Sequence, residues 1–477
     1  MKRAIIILSV LSLIIYLAGC KVGPDYEQPQ LDSPEAFRFD NELTDTIINL
    51  QWWELFQDPV LDTLIAIALE ENKNVLQAAA RIEAARANVG YTRADAFPTI
   101  NVAAGASRGN YSGIKANSAS SSFYAFPELV WEIDFWGKYR RSTEAAKAEL
   151  MSSEFAMRTT QMSLISSVVS TYFQLLDDMS KYEISKSTFD SRDSGTHIIQ
   201  LRFDYGTVPE IDLNQAQIQQ AIAAAAIPVY RRYIAYDQST LSILLGKLPD
   251  SIITGTRLYD QEFPPEIPTG LPSQLLERRP DILQAEADYM EANAMIGVAV
   301  AMRFPSISLT GLFGGASSEL SSFTTGGMAW SVGGTLLGPL FQFGKNKRRV
   351  EQQRYLAEAS RLNYEFTVIQ AFKDVEDALI TIETLKQEII AQETRMVAAK
   401  NAEMLSNERY DKGVTSYLEV LESQRQSFDA QLSYSTVRSD LLTSYIDLYK
   451  ALGGGWVSVE EMQRVEAAAA AEQQAGN

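Results

Sequence analysis

The chain has almost no cysteine or histidine, the side chains on which zinc clusters, disulfides and many catalytic sites depend. Its 477 residues include one cysteine, Cys20, and one histidine, His197. Zinc clusters, disulfide frameworks and catalytic pairs of Ser or Cys with His need more of these residues than the chain contains. His197 lies in a polar, helix-like stretch and is interpreted as a solvated residue. The sequence therefore predicts no metal site, and an enzyme is the weakest interpretation of its function.

Positive charge is also scarce, because 60 acidic residues outnumber 42 basic ones and give a net charge of -18. A phosphate backbone would be repelled by this excess of negative charge. Nucleic acid is therefore not expected as a partner.

The N-terminus has no apolar run long enough to cross a membrane as a helix. Lys2 and Arg3 precede a short apolar core at residues 4–17, whereas a spanning helix needs about 20 residues. The core ends in Leu17-Ala18-Gly19-Cys20, which resembles the lipobox of bacterial lipoproteins. This pattern predicts a signal peptide at 1–19 and a lipid on Cys20, where several acyl chains would anchor the protein firmly. A signal peptide with a chance cysteine and an uncleaved anchor are the alternatives.

The sequence repeats itself at an offset of 207 residues. Residues 75–98 align with residues 282–305 at ten identities in twenty-four positions, and the same offset places Gly206 on Gly413 and Gly246 on Gly453. Two copies of one unit, with the same elements in the same order, explain a constant offset.

Each copy is predicted to contain a helix, a pair of strands, a long helix, a tip and a final helix. The first helix is expected at 58–97, and the long helices at 139–204 and 346–411 lack proline and would each be roughly 100 Å long. Apolar residues from Leu362 to Ile389 are spaced by threes and fours, which predicts a supercoiled helix, with an ordinary amphipathic core helix as the alternative. The expected divisions are an N-terminal lipidated segment 20–57, repeat 1 at 58–248 (strands 99–109 and 123–136, tip 205–211), a connector 249–264, repeat 2 at 265–455 (strands 305–316 and 328–343, tip 412–418) and a tail 456–477.

The strand near residue 130 alternates in polarity. Leu129, Trp131, Ile133 and Phe135 are apolar, and acidic residues occupy positions 128, 132 and 134. This pattern is typical of a strand between lipid and water, although a soluble sheet with one exposed face also shows it. Four strands cannot close, and an open edge in a membrane leaves backbone groups unsatisfied. The chain is therefore expected to oligomerise, and three copies would give about 12 strands around a passage.

Five segments of the chain carry a family resemblance. They are KVGPDYEQP at 21–29, WEIDFWGK at 131–138, LLERRPDI at 275–282, FPSISL at 304–309 and PLFQFGK at 339–345. From Cys20 to about Trp456 the chain resembles the TolC-like outer membrane factors of tripartite (RND-type) efflux systems, in particular their lipoprotein branch. The resemblance implies a mainly α fold with membrane β: a homotrimer with a 12-stranded outer membrane barrel that continues into a long α-helical periplasmic tunnel. It also implies a periplasmic adaptor (membrane fusion) protein, an inner-membrane pump and outer membrane lipid as partners.

The resemblance places the functional residues at the two tips. It implies that the adaptor is contacted by Tyr205, Gly206, Thr207, Lys412, Gly413 and Val414, and that an acidic gate at the tunnel entrance is formed by Glu419, Glu422 and Asp212. The basic residue that some relatives carry two positions after the second tip glycine is Thr415 here, so a gate closed by that salt link is not expected.

Each tip residue also has a simpler interpretation. Ser416 and Glu419 have the spacing of a capping box, in which the serine caps the helix and the glutamate bonds back to its amide. Glu422 would be a solvated helix residue, and both tip glycines would serve as helix C-caps in any case.

The expected function is that of a passive exit duct for small molecules such as drugs, in the outer membrane of a Gram-negative bacterium, with no cofactor besides the lipid on Cys20. One alternative is an outlet for type I protein secretion, and another is a non-conducting structural lipoprotein with a coiled-coil stalk. Glu422 corresponds to Gln215 and Ser416 to Pro209 in the first repeat. Gating is therefore expected to depend more on the second repeat.

Overall fold

A computed structural model describes residues 21–29, 37–39, 52–109, 119–264, 275–324 and 328–454. The predicted signal peptide, Cys20 and the tail from residue 456 lie outside the described residues. No helix in these ranges is both long enough and apolar enough to cross a membrane.

The described residues form seven longer helices and four strands. The helices are α1 (Pro59–Glu71), α2 (Lys73–Ala94), α3 (Lys138–Asp204), α4 (Glu210–Leu244), α5 (Pro280–Ala301), α6 (Lys345–Asp411) and α7 (Tyr417–Ala451). The strands are β1 (Thr99–Gly109), β2 (Ser120–Ile133), β3 (Ser306–Ser317) and β4 (Met328–Leu337). Single helical turns occur at Trp52–Phe56, Leu258–Asp260, Leu275–Arg278 and Leu320–Ser322.

The helices repeat at the same offset as the sequence. Helices α2, α3 and α4 begin and end 207 residues before α5, α6 and α7. Left-handed glycines recur at the helix ends in the same way, at Gly137 and Gly344, Gly206 and Gly413, and Gly246 and Gly453. As the absence of proline predicts, α3 and α6 are each one continuous helix of 67 residues.

The first helix differs from its prediction, because residues 58–97 form two helices that meet at Asn72. The Asn72 side-chain oxygen accepts hydrogen bonds from the backbone amides of Asn74 and Val75, at 2.8 and 3.3 Å. Its amide group donates to the carbonyl of Leu244 at 2.8 Å. Asn72 therefore caps the start of α2 and breaks the helix, as short polar side chains do at helix ends.

Strand bounds also differ from the sequence prediction. The strand predicted at 123–136 runs from Ser120 to Ile133, because the Asp134 carboxylate accepts bonds from the amides of Tyr139 and Arg140 and so caps α3. The strand predicted at 328–343 ends at Leu337, which pairs with Ser306. The next pair would include Pro305, which has no amide hydrogen to donate. The strand predicted at 305–316 runs from Ser306 to Ser317.

The chain divides into two compact units, and the first contains the sheet. This strand unit is built from residues 80–155 and 284–367 together with the N-terminal segment. Its four strands are antiparallel in the order β1-β2-β3-β4, so β1 and β4 are the edges. The β1/β2 pair has Thr99 opposite Val130, and the β3/β4 pair has Ser306 opposite Leu337, which is the same register moved by 207 residues.

One face of this sheet is apolar across all four strands. The register places Ile100, Leu129, Gly311 and Val332 in one row across the sheet. Because side chains alternate between faces, the whole set that shares this face can be read from the register. It consists of Ile100, Val102, Ala104, Ala106, Arg108, Ser121, Phe123, Ala125, Pro127, Leu129, Trp131, Ile133, Ile307, Leu309, Gly311, Phe313, Gly315, Ser317, Met328, Trp330, Val332, Gly334 and Leu336. Its polar members, Arg108, Ser121 and Ser317, lie at one end of their strands. Many of these large apolar residues are exposed, including Val102, Trp330 and Val332.

The second unit is helical and contains most of the buried core. It is built from residues 32–79, 156–283 and 368–477. Leu61 of α1, Phe173 of α3, Val375 of α6 and Ile446 of α7 are among its fully buried members. In the apolar row of α6 predicted from the sequence, Val375 and Ile382 are buried and Leu379, Leu385 and Ile389 are partly buried. Leu362, Phe366 and Ile369 are exposed in the isolated chain.

Acidic residues are buried together in the helical unit. Asp177 and Asp178 of α3 are almost fully buried. Lys181 and Ser435 contact the Asp177 carboxylate at 2.5 and 2.6 Å. Burial, followed by the charge of Asp178, raises the pKa of Asp237 on α4 from an ordinary value of 3.8 to about 7. Burial also raises the pKa of Asp178.

We expect this cluster to make stability depend on pH. The raised pKa of Asp237 means that the fold favours its protonated form, so stability is greatest below pH of about 4 and falls as the pH rises to about 7. The variant Asp237→Asn has no proton to lose and should flatten this slope. Thermal unfolding of the detergent-solubilised protein at about pH 5 and about pH 8 measures the difference. The exposed Asp190→Asn serves as control, and a slope that survives in Asp237→Asn would refute this assignment.

Candidate entrance site at the two helical hairpins

Two tight turns join the long helices to the helices that follow them. In the first, the amides of Gly206 and Thr207 donate to the carbonyls of Phe203 and Arg202, both at 2.8 Å. In the second, the amides of Gly413 and Val414 donate to Tyr410 and Arg409 at 2.9 and 2.8 Å. Both glycines have a positive φ, 69° and 71°, which side-chain-bearing residues adopt only with strain. The turns are therefore a matched pair of glycine C-caps.

A small apolar core holds the two hairpins of one chain together. It consists of the buried residues Ile199, Leu213, Ala216, Tyr417, Val420 and Leu421. Arg202 of the first hairpin reaches the Asp411 carboxylate of the second at 3.2 Å and lies 5.0 Å from the centre of the Tyr410 ring. Each hairpin therefore contributes half of one packed body.

The six residues predicted to contact an adaptor are all exposed. Tyr205 and Val414 present large apolar side chains to solvent. The Thr207 hydroxyl instead donates to the carbonyl of Arg202 at 2.7 Å, and Lys412 lies 3.7 Å from the Glu408 carboxylate. These two side chains support the turns in addition to being exposed.

Glu419 does not form the predicted capping box. Ser416 makes no side-chain hydrogen bond at the start of α7. The Glu419 carboxylate accepts a hydrogen bond from the Thr415 hydroxyl and lies 3.5 Å from Nε of Arg409. Opposite charge draws the carboxylate towards Arg409, so the capping-box interpretation is wrong.

Glu422 is exposed and paired with a neighbour on its own helix. Arg425 donates two nitrogens to its carboxylate, the shortest contact being 2.7 Å, and Gln426 donates at 2.7 Å. Arg425 holds the pKa of Glu422 below its usual range. Asp212 is half-buried at the start of α4. Burial, with smaller contributions from Tyr410 and Asp212, raises the pKa of Tyr417 to about 12.

Glu419 and Glu422 therefore each pair with a different arginine. Within one chain, Glu419, Glu422 and Asp212 are not joined to one another by hydrogen bonds. Sequence reasoning missed both arginines. Arg425 could have been found, because charges three residues apart on a helix are neighbours. Arg409 could not, since the hairpin turn is what brings it to Glu419.

A third arginine, also missed, is buried between the hairpin helices. Arg192 of α3 donates to the backbone carbonyls of Gln219 on α4 and Gln424 on α7, at 2.8 and 3.1 Å. Its guanidinium lies 5.1 Å from the centre of the Phe428 ring. Burial lowers its pKa. The equivalent position in the second repeat is Ala399, so this link between the repeats occurs once per chain.

The strand unit contains a second ordered site, where the N-terminal segment is bound. The Arg141 side chain is fully buried and donates to the carbonyls of Val22 and Gly23, both at 3.1 Å. The Lys21 ammonium lies 2.7 Å from Glu144. A Cβ on Gly137 would lie 3.1 Å from the Lys21 Cα, so the chain passes close to the base of α3. The segment that follows Cys20 is therefore fixed beside the end of β2.

Within the described ranges, no group of three His, Cys, Asp or Glu side chains is arranged to hold a metal ion.

Comparison with known proteins accounts for the repeat and the fold together. The chain matches the family described as outer membrane efflux protein twice, over residues 64–247 and 271–454. These two matches are 207 residues apart. The antibiotic efflux pump outer membrane protein ArpC of Pseudomonas putida is 32% identical over 471 residues, 96% of each chain.

Two further relatives extend the comparison. The probable outer membrane lipoprotein SilC of Salmonella typhimurium is 31% identical over 455 residues, which cover 94% of this chain and 98% of SilC. The solved structure of the Campylobacter jejuni CmeC outer membrane channel has a TM-score of 0.86 at 26% identity, over 94% of this chain and 98% of CmeC. The chain therefore belongs to the outer membrane efflux protein family, and it is a transport protein of the outer membrane rather than an enzyme.

Proposed function

We propose that the chain is the exit duct of a tripartite efflux system and works as a homotrimer. The observation that carries this proposal is the sheet, whose apolar face extends across all four strands and is largely exposed. Such a face suits lipid, but the two open edges do not. Three copies would supply 12 strands, enough to close a barrel around a passage.

Small molecules such as drugs are the proposed cargo. ArpC, a relative over nearly the whole chain, is named as part of an antibiotic efflux pump. We extend that substrate class to this protein and assign it passive conduction, with an inner-membrane pump doing the energy-requiring step. Type I protein secretion remains the alternative, because the same architecture would serve a larger substrate.

A lipid on Cys20 fits the bound N-terminal segment. Lys21, which follows Cys20 in the sequence, lies beside Gly137 at the base of α3. Acyl chains there would start beside the end of β2 and enter the same membrane as the apolar face. The relative SilC is named a lipoprotein, which supports this modification.

The hairpins are the proposed meeting point with the periplasmic adaptor. Tyr205 and Val414 are exposed apolar side chains at the two turns, and Gly206 and Gly413 keep the turns narrow enough to insert between partner helices. Matched hairpins from three copies would present six similar docking points in a ring.

We assign the entrance gate to Glu419, Glu422 and Asp212, with the second hairpin as the part that moves. Opening by outward movement of α7 would break the bond from Arg192 to the carbonyl of Gln424. It would also separate Arg202 from Asp411. Both contacts join the first repeat to the second, so they favour the packed arrangement of the hairpins.

Deletion of the gene tests the proposed function directly. We expect the deletion strain to become more sensitive to several antibiotics, dyes or bile salts in minimum-inhibitory-concentration assays, because a duct serves whatever its pump supplies. Complementation with the intact gene is the control. Unchanged sensitivity together with loss of a secreted protein from the medium would favour the secretion alternative.

The carboxylates at the proposed entrance should make the channel selective for cations. We expect Glu419→Gln with Glu422→Gln to reduce the cation preference of the reconstituted channel, measured as the reversal potential across a planar bilayer in a salt gradient. Arg425→Gln should change selectivity the other way, because it leaves the Glu422 charge unpaired. The exposed connector variant Asp250→Asn is the control.

Equal reversal potentials in the glutamine variants and the parent would return both glutamates to a structural role.

A further inference from the structure

A cavity of about 830 Å³ lies in the strand unit, beside the bound N-terminal segment. Its walls are largely apolar and include Val89, Phe97, Ala148, Met151 and Met290. A cavity of this volume is large enough to hold an organic molecule. A small inorganic ion would leave the apolar walls in contact with water, which is unfavourable. The walls therefore favour an occupant that has an apolar part.

Four cations line the same cavity, although the chain as a whole has a net charge of -18. They are Lys21, Arg93, Arg140 and Lys147. Among the described residues that line the cavity, Glu144 is the one acid. Its carboxylate is already bound by Lys21 at 2.7 Å and by Arg141 at 3.1 Å. The cavity therefore has an excess of positive charge.

Two of the four cations are already held by acidic residues. Lys21 binds Glu144, and Nε of Arg140 lies 3.2 Å from the Asp134 carboxylate. The side chains of Arg93 and Lys147 are exposed and make no hydrogen bond or ion pair within the described part of the chain. Two cations beside apolar walls suit a ligand with an anionic head and an apolar tail.

Trp131 relates the cavity to the membrane. Its side chain belongs to the apolar face of the sheet. Its indole N–H donates to the carbonyl of Ala96 at 3.0 Å, and Ala96 lines the cavity. Tryptophan is enriched where a membrane meets water, because its ring is apolar and its N–H is polar. The cavity is therefore next to the end of the apolar face, at the level where lipid phosphates lie.

We propose that this cavity binds one anionic phospholipid, with the phosphate between Arg93 and Lys147. The first carbons of an acyl chain lie against Phe97 and Met151. Arginine and lysine bind phosphate oxygens through charge-assisted hydrogen bonds. A lipid on Cys20 would bring acyl chains but no phosphate, so it does not account for the two cations. This inference rests on the proposed function, because it requires the sheet to lie in a membrane.

The second repeat lacks residues that this site needs. At the offset of 207 residues, Arg93 corresponds to Val300 and Ala148 to Tyr355. Valine cannot bind a phosphate, and a tyrosine in place of the small Ala148 would fill part of the cavity. The N-terminal segment that forms one wall also occurs once per chain. We therefore expect one such site in each copy of the chain.

Native mass spectrometry of the full-length protein in mild detergent tests the site. The protein is incubated with phosphatidylglycerol or with phosphatidylcholine of the same acyl chains, and the added mass shows how much lipid stays bound. The double variant Arg93→Gln with Lys147→Gln removes both cations. The control Lys347→Gln with Arg354→Gln makes the same change in charge in the second repeat, at the equivalents of Arg140 and Lys147.

We expect the parent to retain phosphatidylglycerol about tenfold better than phosphatidylcholine, and the double variant to lose about that factor. The control should match the parent. Equal retention of phosphatidylglycerol by the parent and the double variant, or a parent that does not distinguish the two lipids, would overturn the site. Adducts of inorganic phosphate that form in preference to the lipid would also overturn it, because the cations would then bind a free anion.

A substitution in the apolar wall tests the acyl-chain contact without changing any charge. Met151 is 42% exposed, so the fold should tolerate a polar side chain of similar length there. We expect Met151→Gln to reduce retention of phosphatidylglycerol about fivefold, because the acyl chain loses an apolar neighbour. Met151→Leu keeps the wall apolar and is the control. Parental retention in Met151→Gln would contradict the contact.

Antibiotic resistance of the complemented deletion strain reports the proposed function separately. Resistance conferred by the parent, together with undiminished lipid retention in the double variant, rejects only the lipid site. A parent gene that confers no resistance rejects the function.

Discussion

An unpaired strand edge cannot be left in a hydrocarbon environment, and this constraint determines how the protein must assemble. Each unsatisfied amide or carbonyl there costs several kcal/mol, of the order of 4 or more. The four-stranded sheet combines a continuous apolar face with two open edges. The face favours membrane insertion, and the edges prevent it for a single chain. The sheet can therefore insert into a membrane only when several chains assemble.

Duplication offers a direct solution to this constraint. Strands β2 and β3 pair inside the chain. At the offset of 207 residues their equivalents are the edge strands β4 and β1, which are followed or preceded by equivalent aromatic residues and an equivalent arginine. Differences between the copies then show where they have specialised. Arg141 binds the N-terminal segment whereas Arg348 is exposed, and Arg192 joins α4 to α7 whereas its equivalent is Ala399. The first repeat thus binds the N-terminal segment and joins the two hairpins, which leaves the second repeat free to differ at the proposed entrance.

Much of the fold could be predicted from the sequence, because its strongest signals are local. Long proline-free segments predicted α3 and α6, and alternation near Leu129 predicted β2. The apolar face of β3 and β4 could not be predicted from the sequence, because Gly311, Gly315 and Gly334 lie on that face and add little hydrophobicity. Only the strand register shows which residues share the face. The break at Asn72 was missed although its capping bonds to the amides of Asn74 and Val75 are local. Only its bond to the carbonyl of Leu244, 172 residues away in sequence, depends on the fold. At the entrance, Glu419 was found but its partner Arg409 was not, because a turn and not a helical spacing joins them.

The most direct test of this account is the native mass of the protein extracted from the outer membrane in mild detergent. A membrane-competent sheet requires neighbours at both edges, so the account predicts a complex of three chains, each with a mass increased by the lipid on Cys20. A stable single chain in the membrane extract, or an assembly of two, would contradict it.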